Sequence, residues 1–520
     1  MLLRVDGLSL RLDGTALLDD ISFSLDKGER LGLMGEAGAG KSLLLRTLLG
    51  LMPRGAELTG AIELNGIGLP ATAAERAKWR GRQIGALLAH AESSLDPLRT
   101  VSALITEAQA LAGRAIDVAA VLAELDLPAK LANYLPHDLS AAERRRVALG
   151  LALAAQPDLL LADEPAQGLD LIDQRRVLDL IARRCSERGM ALVMASHDLK
   201  SLAMLSGRIM VLRAGKAIEA GEKAEIFGHP KHDFTRAVLS AGRHRAKTLM
   251  RTPIGGKLLD VRKVSRRYRL PDRSLFEPRR PVLALDGVSL AVRAGESVGV
   301  IGPQGAGKST LARIIVGLER ATAGELELNQ QVYTGSDLPR LLRQGISLVA
   351  ADPRPTFDPR LTVGQSIAEP LQLELQRSVD ELSSRLVEIV ASVGLATDVM
   401  DRPPREFTIS QLQRLAVARA LVTRPRLVVL DEPVAALDVG ARGEMLVLLN
   451  RLRADFGLSF LIIGHDLDLM RIAADRVLVM DRGKIVEVTT PAQLLEAPQH
   501  EVTQRLVAAQ LPDVGIVPVF

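Results

Sequence analysis

The eight residues Gly35-Glu36-Ala37-Gly38-Ala39-Gly40-Lys41-Ser42 return almost unchanged as Gly302-Pro303-Gln304-Gly305-Ala306-Gly307-Lys308-Ser309. Each copy reads glycine, four residues, then Gly-Lys-Ser. In that pattern bare glycine backbone lets successive N–H groups wrap a di- or triphosphate, while the lysine reaches the terminal phosphates. The hydroxyl of Ser42 or Ser309 is placed to ligand Mg²⁺. Residues 30–34 and 297–301 read as buried strands before the two loops, and 43–51 and 310–318 as helices after them. Strand, glycine-rich loop and helix, found twice, leave no room for a chance match.

The duplication extends well beyond the loop. Lys41 precedes Asp163 by 122 residues and Lys308 precedes Asp431 by 123. Glu164 to His197 and Glu432 to His465 are both 33 residues. Each half follows the order strand pair, loop, helix, mixed segment, helix, strand, helix, strand, which predicts an α/β layer with parallel strands. We therefore expect two tandem domains, residues 1–241 and 258–520, joined by a short connection at 242–257 containing Pro253 and Gly255-Gly256.

With 66 basic and 62 acidic residues the net charge is only +4, so no global affinity for polyanions follows. Residues 243–280 are locally basic, as a solvated linker and domain edge or as a contact for a membrane surface or partner. Thirteen aromatic residues in the whole chain are too few for a base-stacking platform, and no nucleic-acid partner is expected. The single cysteine, Cys185, excludes a disulfide framework or multi-cysteine metal site, suits a reducing cytosol, and reads as packed on a helix. No signal pattern opens the chain, and no apolar run approaches the length of a membrane span.

Apolar strands ending in Asp163-Glu164 and Asp431-Glu432 deliver adjacent acids beside the phosphate loops. The first acid can hold Mg²⁺ through its water shell, and the second can orient and deprotonate an attacking water. An Asp-Glu pair standing alone after a strand is more often a helix cap; paired with the phosphate loop, the catalytic reading wins. His197 and His465 follow further strands, 191–195 and 460–463, each before Asp-Leu. A histidine there caps the structure or hydrogen-bonds a γ-phosphate, and its equal offset in both halves favours function.

Together these residues resemble the nucleotide-binding subunits of ABC transporters over essentially the whole chain, twice. For each half the resemblance implies a RecA-like P-loop core with an antiparallel β subdomain and a helical subdomain. It also implies ATP and Mg²⁺ as ligands, ATP hydrolysis as the activity, and two halves closing over two ATP molecules. Asp170 and Asp438 match the loop that joins them. The segments Ile226-Phe227-Gly228-His229-Pro230-Lys231-His232-Asp233-Phe234-Thr235 and Leu495-Glu496-Ala497-Pro498-Gln499-His500-Glu501-Val502-Thr503 look like the tail of the dipeptide/oligopeptide importer branch. Ser94-Leu95-Asp96-Pro97, Thr356-Phe357-Asp358-Pro359 and Ser274-Leu275-Phe276-Glu277-Pro278 are also similar to that branch. A fusion of this length looks most like the microcin C-type peptide importer ATPase. Its implied partners are two transmembrane permease subunits and an extracytoplasmic solute-binding protein, and its implied place is peripheral, on the cytoplasmic side of the membrane. The cysteine cluster usual after an unfused first ATPase is absent.

The chain departs from that family at two motifs. The signature Leu-Ser-Gly-Gly-Gln reads Leu139-Ser140-Ala141-Ala142-Glu143 and Phe407-Thr408-Ile409-Ser410-Gln411. Ser140 and Thr408 keep the hydroxyl expected to reach a γ-phosphate of the opposite half, but Ala141, Ala142 and Ile409 should hinder a close approach. Where a glutamine normally serves Mg²⁺, water and the permease, the sequence has Ala89 and Ala351, with His90 or Asp352 as neighbouring substitutes. Tyr268 holds the adenine-stacking position in the second half, or is an ordinary strand aromatic; Leu12 holds it in the first. Two other readings stay open. One is a regulatory subunit that binds ATP and hydrolyses it slowly; the other is a ribosome-associated tandem ATPase, whose usual long charged linker 242–257 is not.

Overall fold

The computed structural model describes residues 1–70, 72–80, 82–89, 91–113, 115–242, 253–269, 281–373 and 379–511. Most of the basic 243–280 stretch, His90 and residues 274–278 lie outside them. Among the described residues the chain divides into two compact units, the body of the first within residues 1–242 and the second within 253–510.

In the first unit, β1 (Leu3–Leu12), β2 (Thr15–Leu25), β4 (Glu57–Leu64) and β5 (Ile67–Gly68) form an antiparallel sheet in the order β2-β1-β4-β5. A second sheet holds β3 (Arg30–Met34), β6 (Ile84–Leu87), β7 (Leu159–Asp163), β8 (Ala191–Ala195), β9 (Arg208–Arg213) and β10 (Lys216–Glu222) in the order β10-β9-β3-β8-β7-β6. All neighbours in it are parallel except β9 and β10. Its inner strands are buried along their length, as continuous apolar runs such as Leu159-Leu160-Leu161-Ala162 require in a sheet covered on both faces. One core joins Leu8, Leu10 and Ile21 of the antiparallel sheet to Leu44, Leu45 and Leu48 of the helix Lys41–Leu48 and to Leu33, Leu161 and Val193 of the central sheet. The helices Val101–Leu111, Val118–Glu124 and Ala141–Leu153 lie between β6 and β7 in the chain.

The second unit repeats the plan. β11 (Lys257–Tyr268), β12 (Val282–Arg293), β14 (Ala323–Leu328) and β15 (Gln331–Tyr333) pair in the order β12-β11-β14-β15. The central sheet, of β13 (Ser297–Ile301), β16 (Ile346–Val349), β17 (Leu427–Asp431), β18 (Ser459–Ile463), β19 (Arg476–Asp481) and β20 (Lys484–Thr489), runs β16-β17-β18-β13-β19-β20. Gly255 and Gly256, inside the expected connection, already pair with Ala294 of this unit through bonds of 2.8 and 2.9 Å. Cys185 is buried in the helix Leu171–Arg188, and burial pushes its thiol up to about 11. No helix among the described residues is long and apolar enough to cross a membrane.

The two tail segments are tied to their sheets by one carboxylate each. Glu219 accepts the backbone N–H of Lys231 (2.7 Å) and His232 (3.1 Å). Glu487 accepts those of Gln499 (3.2 Å) and His500 (2.8 Å), with the Thr503 hydroxyl. Burial works to raise the Glu487 pKa, but these hydrogen bonds outweigh it and hold the carboxyl below its ordinary value. The stabilisation is therefore complete above the ordinary glutamate value and is lost as pH falls through the lower, folded one. The protection of the Gln499 and His500 amides, relative to their intrinsic exchange rates, should fall as pH drops below the ordinary glutamate value, and Glu487→Gln should leave both amides less protected at neutral pH. Equal protection of both amides in the two proteins at neutral pH would remove the carboxylate from this role.

Candidate active sites

Both phosphate loops leave the C-terminal ends of central parallel strands, β3 and β13, where open α/β sheets place their ligands. Gly40 and Gly307 begin the following helices, Lys41–Leu48 and Lys308–Ile315, in left-handed backbone with φ of 102° and 98°. A Cβ at Gly307 would lie 2.3 Å from the Ala284 carbonyl oxygen, so conformation and space both demand glycine there. Lys41 Nζ donates to the carbonyls of Gly35 (2.6 Å) and Glu36 (2.9 Å); Lys308 Nζ does the same to Gly302 (2.6 Å) and Pro303 (2.9 Å). Each ammonium is thus held over its own loop, whose tips Glu36-Ala37-Gly38 and Gln304-Gly305 are exposed.

Asp163 and Asp431 end β7 and β17, the strands two places from those that feed the loops. Asp163 is almost fully buried, and its Oδ1 has no hydrogen-bond partner. Burial pushes both aspartates up, opposed by hydrogen bonds from Ser42 and Ser309 and by the loop lysines. Ser309 Oγ donates to Asp431 Oδ1 at 3.3 Å. A buried acid with an unpartnered oxygen beside a seryl hydroxyl fits a hard cation arriving with a polyphosphate, since Mg²⁺ takes one or two protein oxygens and completes its shell from phosphate and water.

Glu164 and Glu432 come next, both in left-handed backbone, φ 48° and 52°. Such a conformation costs a non-glycine residue about 1–3 kcal/mol, and its recurrence at one position in both units points to a functional constraint. Glu164 Oε1 accepts the His197 backbone N–H (2.8 Å) and lies 2.7 Å from His197 Nδ1, while Oε2 accepts the Ser196 hydroxyl (2.9 Å). Glu432 Oε1 lies 3.3 Å from His465 Nδ1. Burial favours the neutral acid at both, but hydrogen bonds and the nearby lysine outweigh it and keep both carboxyls below the ordinary range. At neutral pH each is an anion able to accept a proton from water.

The remaining positions have visible structural duties. Ser140 and Thr408 cap the helices Ala141–Leu153 and Ile409–Leu421 through reciprocal capping boxes with Glu143 and Gln411. The Glu143 carboxylate is held at the Ser140 N–H, 2.8 Å. Asp170 and Asp438 cap Leu171–Arg188 and Val439–Phe456. Ala89 and Ala351 follow the edge strands β6 and β16, and Asp352 Oδ1 accepts Arg354 N–H at 3.0 Å, turned into its own loop. Arg266 stacks on the Tyr268 ring, 4.8 Å to its centroid. The Tyr268 hydroxyl donates to Glu319 and lies 3.4 Å from Thr310 Oγ1. One face of the ring is therefore already covered.

The family model described as "ABC transporter" matches residues 18–167 and 285–435. The chain belongs to the ABC transporter ATP-binding family. It carries the cassette twice, and ATP hydrolysis is its activity. Curated relatives include the glutathione import ATP-binding protein GsiA of Escherichia coli O157:H7 and of strain K12. Each is 32% identical over 542 residues, which cover 95% of this chain and 86% of the relative. Among solved structures, a dimeric ATP-binding cassette in a post-hydrolysis state bound to ADP and phosphate is 25% identical. It covers 45% of this chain and 99% of its own, with a TM-score of 0.40.

Two residues around Glu164 escape a motif reading. Ser196 stands where the second cassette has Gly464, and Arg145 where it has Gln413. The only signal in the sequence is the mismatch between the two copies.

Proposed function

We propose that this chain is the energy-coupling ATPase of an importer for peptides or peptide-like solutes. One observation carries the catalytic part: in each unit a glycine-rich loop, its lysine, a seryl hydroxyl, a strand-end aspartate and a strained glutamate converge at the end of the parallel strands of the central sheet. The domains are taken as 1–241 and 258–520. Lys41 and Lys308 hold the β- and γ-phosphates of ATP, with the loop N–H groups and Thr310. Ser42 with Asp163, and Ser309 with Asp431, hold Mg²⁺, which neutralises the phosphate oxygens. Glu164 or Glu432 takes a proton from water as its oxygen bonds to the γ-phosphorus; the bond to the bridging oxygen breaks, and ADP leaves with that electron pair. His197 and His465 orient these carboxylates.

The import assignment draws on the glutathione importers among the relatives and on both carboxylate-tied tails. It brings with it a pair of permeases, a solute-binding protein, a peripheral place on the cytoplasmic face, and pairing of the two cassettes over ATP. The microcin C-type likeness is a narrower version of the same reading. Phosphate release by the chain reconstituted with peptide permeases should rise when binding protein and peptide are added. Stimulation by a sugar permease, or sedimentation with ribosomes, would replace this reading with another.

A slow regulatory ATPase is favoured by Ala89, Ala351 and the signatures without paired glycines. Restoring Ala89→Gln and Ala351→Gln with glycines at Ala141, Ala142, Ile409 and Ser410 should then raise turnover about 100-fold, the scale on which a single positioned transition-state donor acts. Unchanged phosphate release would mean that the present residues already suffice.

A further inference from the structure

The two glutamates assigned to water activation sit at the same place in two copies of one fold, yet they are held very differently. In the first unit three donors converge on the Glu164 carboxylate: the His197 N–H, the His197 ring and the Ser196 hydroxyl, at 2.8, 2.7 and 2.9 Å. In the second the Glu432 carboxylate meets the His465 ring at the longer distance of 3.3 Å, and Gly464 has no side chain to offer.

The backbone around the two residues differs in the same direction. Arg145, on the helix Ala141–Leu153, is buried at 2% exposure. Its Nη1 donates to the Glu164 carbonyl (3.1 Å) and the Pro165 carbonyl (3.5 Å), and Nη2 to the Gln167 carbonyl (3.5 Å). These bonds fasten the turn that carries Glu164. In the second unit Gln413 occupies that helix position, but its Nε2 donates to the Ala350 carbonyl at 3.2 Å, beyond the end of β16. The turn after Glu432 receives no hydrogen bond from it.

A carboxylate that must meet a water at the γ-phosphate has to turn an oxygen toward it, giving up whatever donors that oxygen accepts. Glu164 surrenders the Ser196 bond and works against the Arg145 anchorage, whereas Glu432 surrenders little. We propose that Arg145 and Ser196 are positioning residues that restrain Glu164, so that the first unit's site turns ATP over more slowly than the second's. The inference rests on the catalytic reading of Glu164 and Glu432. One lost hydrogen bond on the path to the transition state corresponds to about a ten-fold difference in rate.

Full-length variants test it through ATP turnover with the permeases. Glu432→Gln should cost at least about five times more activity than Glu164→Gln. In the Glu432→Gln chain, Ser196→Gly and Arg145→Gln, which install the second unit's residues, should each raise kcat about ten-fold, with KM for ATP changed less than about two-fold. Ser196→Thr, which keeps the hydroxyl, should stay slow. In the Glu164→Gln chain, Gly464→Ser should lower kcat; the added Cβ meets the flexible Met470 end at 3.3 Å and, at ordinary van der Waals distance, Leu469 Cδ2 (3.5 Å) and Asp466 N (3.9 Å). Ser196→Gly and Gly464→Ser decide the matter even if Arg145→Gln does not fold. Equal losses from the two glutamine variants, or a kcat unmoved by Ser196→Gly and Gly464→Ser, overturn the restraint. Hydrolysis undiminished in the Glu164→Gln/Glu432→Gln chain overturns the catalytic reading itself.

Discussion

The Glu164→Gln/Glu432→Gln chain should bind ATP at both sites and release phosphate about 10³-fold more slowly than the wild type, the middle of the range for a lost general base. Glutamine keeps the size of the side chain and one carbonyl oxygen for the His197 N–H, so the fold around the site has no reason to change. It removes the negative charge that accepts the water proton. Both glutamates are anions at neutral pH because hydrogen bonds and loop lysines overcome their burial. The substitution therefore removes a charge that is present in the working state. Phosphate release and equilibrium ATP binding, measured on the same preparation, separate the two effects. A parallel loss of binding would place the glutamates in nucleotide affinity instead.

Removing both loop lysines should have the complementary effect. In Lys41→Ala/Lys308→Ala the ammonium that each loop holds between two of its own carbonyls is gone, at a site where the two ions are only 8% exposed. A hydrogen bond from a charged donor contributes about 1.5–3 kcal/mol, so ATP affinity should fall at least about 100-fold at each site if two phosphate contacts are lost. Thermal unfolding gives a direct reading. ATP at 100 times its Kd stabilises a folded protein by about 2.7 kcal/mol, and this shift should vanish in the double variant. Single variants should keep half of the bound nucleotide. Full ATP-dependent stabilisation in the double variant would show that the lysines are not phosphate ligands.

The loops, the strands before them and the acids at strand ends are legible in the sequence because each is a local pattern: an apolar run of strand length, glycines at fixed offsets, carboxylates at the run's end. The helices start at Lys41 and Lys308, two residues before the apolar pattern places them. The reason is that Gly40 and Gly307, in left-handed backbone, cap them directly. Ser196 was not legible, since its contact with Glu164 spans 32 residues. It follows from strand register, which pairs Asp163 with Ala195 across β7 and β8 and so brings the next residue of each strand together. Arg145 lies in a helix whose sequence shows only a run of arginines, and nothing local says which one turns toward the Glu164 turn. Tyr268 was legible as an aromatic at the right strand end, but not the Arg266 stacked on it, because that contact depends on side-chain conformation.

That one chain carries two ATP-hydrolysing sites is tested most directly by phosphate release from the intact wild-type chain with the proposed peptide permeases, alongside a count of bound ATP. Two ATP bound per chain, with steady release that the double glutamine variant slows about 10³-fold, is the expected result. Two ATP bound with no release in any state, or release undiminished in the double variant, would contradict it.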